Sequence, residues 1–286
     1  MITIELITAD GVAHDLDECV AWSVDGIAGM LAVPEKRGRD LVIPQAHGEL
    51  HLPGKKYAAS NVVLRPWVRG VNPDGTIPEA GDGRLVFHRN LRQLLTWFTV
   101  DEQVTLRLTL EDGTARQIVG EVIDAIAPDV DGRGRDTVGR LSVALRCASP
   151  FWTDVDPVSQ VVPAGDPVTL AEFAGATAPM EDLLLVFGPQ NNPRLAQPST
   201  EIFVQLNRVI TAGQTITVDT TEWQVYGSAG VAGGLYEDLA YGGRGTSRWF
   251  ALRPEPGGGT PVVELTNTGG AGGSVTVTGR RKYKIA

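Results

Sequence analysis

Few residues in this chain combine the types and spacing that chemistry requires. His47, Glu49 and His51, in the run HGELH, are its one compact cluster of metal-ligand types. On a strand, side chains two and four positions apart share a face, so these three could converge on one ion. The spacing is not that of a helical HExxH pair, and no other histidine lies nearby in sequence, so the run reads as a turn carrying two imidazoles. Asp129 to Asp136, DVDGRGRD, has the outline of an acidic calcium loop. It lacks the third ligand position and the distal glutamate, and its two arginines would repel a cation, which leaves a hairpin loop.

Other chemistries lack their parts as well. The glycines between Tyr241 and Gly245 do not follow a strand and open a helix, so they make no phosphate cradle. No serine lies in a GxSxG elbow. Asp154 with Asp156, and Glu237 with Asp238, are neighbours in turns, and only burial and separation would make them an acid/base pair. The expectation is a protein that is not an enzyme, with no catalytic residues, no metal site and no cofactor. Cys19 and Cys147 have no CxxC partner and read as two packed thiols.

Exposed aromatic side chains on a β-scaffold can stack on sugars. Trp223 and Trp249 are expected in a core. Tyr236 and Tyr241 fall in a long glycine-rich stretch, Gly227 to Gly245, and are the candidate exposed contacts.

These side chains must be held by a largely extended scaffold. The chain has 286 residues, enough for two domains with substantial cores. Apolar residues at 42% and charged residues at 21% fit a globular protein, and no run of about 18 apolar residues could span a membrane. A formal charge of −9 with both signs interspersed gives no basic patch for a duplex, so specific nucleic-acid binding is not expected. The N-terminus alternates like a strand and has no secretory signal, which predicts synthesis in a cytoplasm.

Along the first half, Ile2 to Leu6 reads as an edge-like strand, and Asp10-Gly11 as a turn. Asn61 to Val68 alternates, and Pro66 would place that strand at a sheet edge or end. Leu91, Leu94, Leu95 and Phe98 recur at helical spacing, with Asn90 as the expected N-cap and Gln93 three residues on. Val104 to Leu110 alternates into a Glu111–Thr114 turn and returns through Ile118 to Ile126 as a hairpin. Leu141 to Cys147 is a further alternating strand that Pro150 stops. Pro150, Phe151 and Trp152 are expected at a domain junction, dividing the chain into 1–152 and 153–286.

The second half shows short strand-like runs: 168–173, 183–187, 201–206, 214–218, 222–225, 249–252, 262–265 and 274–278. The fold class is therefore mainly β: a β-rich N-terminal domain with one amphipathic helix, then a C-terminal β-sandwich of jelly-roll or galectin-like type.

Taken together, several segments resemble the distal tail (Dit) proteins of siphoviruses, also called phage minor tail proteins. They are Val24 to Gly29 (VDGIAG), Gln45 to Gly48 (QAHG), Tyr57 with Val62-Val63-Leu64, Val68-Arg69-Gly70, and Cys147 to Trp152 (CASPFW). In the second half, Ile210 to Tyr226 is similar to that family's hairpin with a turn glycine before an Asp-Thr. Pro254-Glu255-Pro256-Gly257 departs from its Pro-Gly-x-Asn, and Ser60 stands where many relatives have arginine.

The resemblance implies a structural bacteriophage virion component at the tail tip or baseplate. Its first domain would form a homo-oligomeric ring, commonly a hexamer, that continues the tail tube, and its peripheral sandwich would face outward. The implied partners are the tail tube protein and the tail-tip hub or tail-associated proteins. DNA could pass through the ring, and no membrane insertion is implied. The rival expectation is a carbohydrate-binding sandwich module acting through Tyr236 or Tyr241.

Overall fold

Three Asp-Gly pairs shape the turns of the first half. Asp10-Gly11, Asp74-Gly75 and Asp112-Gly113 each put the glycine at a φ near +80°, a conformation other L-residues adopt only under strain. In each, the aspartate Oδ1 accepts the backbone N–H two residues on: Val12 at 3.2 Å, Thr76 at 2.9 Å and Thr114 at 2.9 Å. Those bonds favour the charged carboxylate. Asp10 is held below its usual pKa first by the Thr8 hydroxyl, Asp74 first by the Thr76 hydroxyl, and Asp112 first by the Thr114 N–H.

The computed structural model describes residues 2–17, 20–37, 41–42, 49–50, 56–78, 82–98, 102–131, 137–231, 233–243, 250–268 and 272–286. The chain forms two compact units, Met1–Trp152 with Lys284–Ala286, and Thr153–Tyr283. The C-terminal tripeptide thus groups with the first unit, whereas the sequence reading assigned 153–286 to the second. Within the first unit Ala286 N–H donates to the Met30 carbonyl at 3.0 Å, and Arg116 Nη1 donates to the Ile285 carbonyl at 3.2 Å.

The sheet of the first unit runs β2 (Ala13–Asp15), β1 (Thr3–Ile7), β9 (Val104–Thr109), β10 (Ala115–Asp131), β11 (Val138–Cys147), β8 (Ser60–Arg69) and β3 (Trp22–Ala28), antiparallel throughout. Two short ribbons are separate from it, β4 (Lys36–Arg37) with β7 (Lys56–Tyr57) and β5 (Leu41–Val42) with β6 (Glu49–Leu50). Alternation fixes the faces. Val104, Leu106 and Leu108 are buried, as are Leu141, Val143, Leu145 and Cys147, while the residues between them are more open.

Helix α1 (Gly83–Phe98) packs on this sheet against β8 and β10 through Phe87, Leu94 and Phe98. It starts about two turns before the expected cap. Val86 and Phe87 extend the apolar stripe upstream, so Asn90 is not a cap but a buried mid-helix residue. Its Nδ2 donates to the carbonyls of Arg69 at 3.0 Å and Val71 at 2.7 Å, where the chain leaves β8. Gly70 lies there too, and a Cβ on it would collide with the Gly83 carbonyl oxygen at the helix start.

Two strand placements differ from the sequence reading. β1 is not at an edge, because three-residue β2 covers it. β8 is interior despite Pro66. The pairing of β8 with β11 skips the two rungs at Pro66 and Arg65, and β3 bulges between Val24 and Ile27 opposite. A bulge and an open rung accommodate the missing N–H.

β12 (Trp152–Asp154) ends the first unit and begins the second. The second is a two-sheet sandwich. One sheet runs β13 (Val158–Pro163), β24 (Ser274–Gly279), β15 (Leu183–Phe187), β20 (Ile216–Asp219) and β21 (Gln224–Gly227). The other runs β14 (Val168–Thr169), β23 (Val262–Thr266), β17 (Arg194–Gln197), β18 (Ile202–Leu206) and β22 (Leu239–Gly242). A ribbon of β16 (Gln190–Asn191) with β19 (Val209–Ile210) and the short β25 (Lys282–Tyr283) complete it. Leu183, Leu185, Phe187, Val204, Leu206, Val218, Leu265 and Val277 fill the interior. Most of the run 168–173 is not strand, since Ala171–Phe173 forms a 3-10 turn that buries Phe173.

Candidate functional site

The β20–β21 hairpin presents the most unusual side chain in the second unit. Asp219 Oδ1 accepts the N–H groups of Thr221 at 2.8 Å and Glu222 at 3.2 Å, which sets a tight turn. Asp219 pairs with Gln224, so the last turn residue is Trp223. Its φ is +58°, a left-handed conformation costly for a residue with a Cβ. Trp223 is 60% exposed, which corrects its expected place in the core. The run Asp-Thr-Thr permits this turn through the Asp219 side chain but carries no glycine to mark it.

Tyr236 meets it from the next loop. Its hydroxyl donates to the Trp223 carbonyl at 3.1 Å, and its ring is 57% exposed. Val231, Leu235 and Leu239 pack against the sandwich core on either side of it. Gln214 Nε2 also donates to the Gly230 carbonyl at 2.8 Å. Glycine-rich composition therefore does not leave this segment unanchored. Tyr241, the other candidate contact, is not in a loop. It lies on edge strand β22 opposite Val204, 40% exposed. The structure brings Tyr236 to Trp223, a residue the sequence reading did not select.

Of the expected junction residues, Pro150 is half-buried and both Phe151 and Trp152 are buried. Phe151 meets Tyr57 edge-on within the first unit, with ring centroids 5.1 Å apart and planes at 76°. Cys147 is buried opposite Ser60, and burial pushes its thiol up to about 11. Cys19, His47, His51 and Trp249 lie outside the described residues, as does 132–136 of the acidic run. Asp129–Asp131 continue β10. Among the described residues no group of three or more His, Cys, Asp or Glu could hold a metal ion.

The paired carboxylates separate. Asp154 is buried and bound by Arg281 and Tyr283, while Asp156 is exposed. Asp238 pairs with Arg208 at 3.3 Å, and Glu237 is exposed. Neither pair has the geometry of an acid/base couple.

Two recesses open on the first unit. One, of about 420 Å3, lies where Pro66 interrupts pairing and is lined by Asp25, Gly26, Arg65, Arg140, Leu141 and Ser142. Arg140 and Asp25 approach to 3.8 Å across it. The other, of about 380 Å3, includes His14, Asp15, Trp22, Gln93 and Trp97. His14 stacks on Trp97 at 4.4 Å, and Trp22 meets the same indole edge-on at 5.2 Å. This ring cluster ties β2 and β3 to α1.

No family model matches the chain, and no curated protein does. Among solved structures, the crystal structure of the SPP1 Dit (gp 19.1) protein aligns over 99% of this chain and 99% of its own, with a TM-score of 0.62 and 14% identity. The chain has the Dit fold. SPP1 Dit is described as a paradigm of the hub adsorption apparatus in phages that infect Gram-positive bacteria. A chain of the phage P2 baseplate in its activated conformation with Ca aligns over 100% of both chains at a TM-score of 0.45 and 9% identity. The Dit fold spans both units, and it is the mainly β architecture, with one amphipathic helix and a following sandwich, that the side-chain pattern of the sequence predicted.

Proposed function

We propose that this protein is a structural component of a bacteriophage tail tip, a distal tail protein whose first unit assembles into a ring. The observation that carries this reading is the Dit fold over 99% of both chains, since a match to one unit alone would point only to a common sandwich.

The finer assignment follows from it. The ring is a homo-oligomer, commonly six copies, that joins the tail tube to the tip hub and host-binding parts in the virion. Pro150, Phe151 and Trp152 mark the exit from the ring-forming unit, and Tyr236 and Tyr241 are candidate exposed contacts of the sandwich. Closure into a ring uses one repeated heterologous contact and leaves no unmatched surface. A net charge of −9 suits a conduit that DNA crosses without adhering.

Negative-stain imaging with light scattering tests the reading. Closed rings of uniform stoichiometry are expected. A strict monomer at every concentration, with no capture of tail tube protein, would refute it.

A further inference from the structure

We propose that the outer face of helix α1 docks, through Arg84, His88 and Arg92, on an acidic end of a second copy of this chain. The inference rests on the ring reading above and names a contact between neighbouring copies. The three residues stand at i, i+4 and i+8, so they form one ridge of the helix, and all three are exposed. The helix contains no aspartate or glutamate, and Arg84 sits in its first turn, against the positive end of the helix dipole. Like charges four residues apart add to that cost, so the stability of the helix does not account for the row. The remaining arginine of the helix, Arg89, is engaged elsewhere: its Nη2 donates to Asn72 Oδ1 at 3.0 Å, and its charge acts on Asp74. Asp82 precedes the helix, yet Arg84, His88 and Arg92 form no ion pair with a carboxylate among the described residues.

Charge identifies the partner. At a net charge of −9 two copies repel one another overall, so a surface that joins them must oppose that sign locally. The row does so. Arginine rather than lysine, with Leu85 beside it 69% exposed, is the composition of a contact between proteins. Exposed Asp10 and Glu102 supply the opposite sign. Each lies three residues beyond the paired Ile7 and Thr105, so both stand at the same end of strands β1 and β9. Thr8 Oγ1 donates to Asp10 Oδ1 at 2.6 Å and lies 3.4 Å from Nε2 of His14, whose ring stacks on Trp97 near the C-terminal end of α1. Arg84 is at the other end of the helix, roughly 20 Å away along its axis at about 1.5 Å per residue. One copy therefore holds the start of its basic row beyond a screening length from its own acidic end, and a neighbour can bring the two surfaces together. Such a contact is heterologous, the kind that a ring repeats.

Sedimentation velocity and negative-stain imaging of the whole chain test the contact. Rings of the parent should loosen as salt is raised from about 0.05 to about 0.5 M. Arg84→Glu with Arg92→Glu should raise the concentration for half-assembly ~10-fold or more, and Arg84→Gln with Arg92→Gln should raise it less. Both pairs change exposed side chains only, and a circular dichroism melt like that of the parent checks that each is folded. Asp10→Asn keeps the Oδ1 acceptor of its turn and removes the charge; with Glu102→Lys it should weaken assembly too. Combining these two with the glutamate pair should recover roughly 3-fold or more of the loss. Parent rings that the glutamate pair leaves unchanged would overturn this inference and leave the tail-tip reading standing, as would a loss that the fourfold variant does not recover. Duplex DNA bound by the parent and released by the glutamate pair, with rings intact, would also overturn it and assign the row to a polyanion. A parent chain that is monomeric at every concentration would overturn both readings.

Discussion

Arg281 Nε donates to Asp154 Oδ2 at 2.5 Å, while the backbone N–H of Asp154 donates back to the Arg281 carbonyl at 3.2 Å. Tyr283 completes the arrangement by donating its hydroxyl to the other carboxylate oxygen at 3.0 Å. The Asp154 side chain is 8% exposed, and the hydrogen bond it accepts raises the pKa of Arg281 further above its ordinary value. Strands β12 and β25, far apart in sequence, are thereby fixed at the start and end of the second unit.

That geometry predicts an asymmetric response to mutation. Arg281→Ala strands a buried carboxylate and should lower the stability of the second unit by about 3 kcal/mol. Arg281→Lys keeps the charge but not the planar fork and should fall between. Tyr283→Phe removes one of the two partners and should cost about 1 kcal/mol. Calorimetric unfolding of the whole chain, read on the transition of the second unit, measures all three.

Gly70 and Gly11 should differ although both become alanine. A Cβ at Gly70 meets the Gly83 carbonyl at the start of α1, so Gly70→Ala must shift helix or strand and should cost about 1–3 kcal/mol. A Cβ at Gly11 meets nothing within 4 Å, so only its φ of +80° opposes substitution. That strain is worth about 1 kcal/mol. Equal losses in thermal melts of the two variants would contradict the close approach of the two glycines.

Two tryptophans offer a second contrast. Trp152 is 2% exposed, and Trp152→Ala should cost about 3–5 kcal/mol through the cavity it leaves. Trp223→Gly relieves backbone strain and removes no core, so its effect should stay within about 1 kcal/mol of zero. Denaturant titration of each variant, with m-values compared, distinguishes them. A large loss at Trp223 would mean that its indole is structural.

Cys147 carries a pH dependence of definite sign. Its folded thiol titrates near about 11 because burial disfavours the thiolate, whereas the unfolded thiol titrates near the ordinary value of 9.0. Above pH 9 the unfolded chain binds fewer protons than the folded one, so stability falls as pH rises from 9 toward 11. The contribution lost is about 2–3 kcal/mol over two pH units. Subtracting the profile of Cys147→Ala from that of the parent isolates it from tyrosine and lysine titration. The same burial predicts no reaction of Cys147 with a thiol reagent at pH 8 until the first unit unfolds.

Local pattern carried much of this fold. Alternation from Val104 to Leu108 and from Leu141 to Cys147, with the Asp112-Gly113 turn between β9 and β10, depends on side-chain period and turn stereochemistry. Neighbouring residues express both. At two positions a side chain's role depended on a distant partner and the sequence reading differed from the structure. Asn90 looked like a cap because Asn suits a helix start, but the carbonyls of Arg69 and Val71 draw it into the helix interior. Pro66 looked like an edge residue because it lacks an N–H, but a bulge in β3, nearly forty residues earlier in the chain, lets β8 stay inside the sheet.

The turn between β20 and β21 shows the same division. Tyr236 was legible as an exposed aromatic because glycines surround it. Trp223 was not, because an indole next to β-prone residues is usually buried. Its exposure is decided by the Asp219 turn and by a hydroxyl thirteen residues away. By itself the sequence determined which segments extend, where they turn and which face of each strand is apolar, since these follow from backbone sterics and period. Only the tertiary structure decided which strands lie side by side, that Arg281 and Tyr283 close on Asp154, and that Tyr236 reaches Trp223. Pairings of that kind are made across large sequence separations, and no local pattern records them.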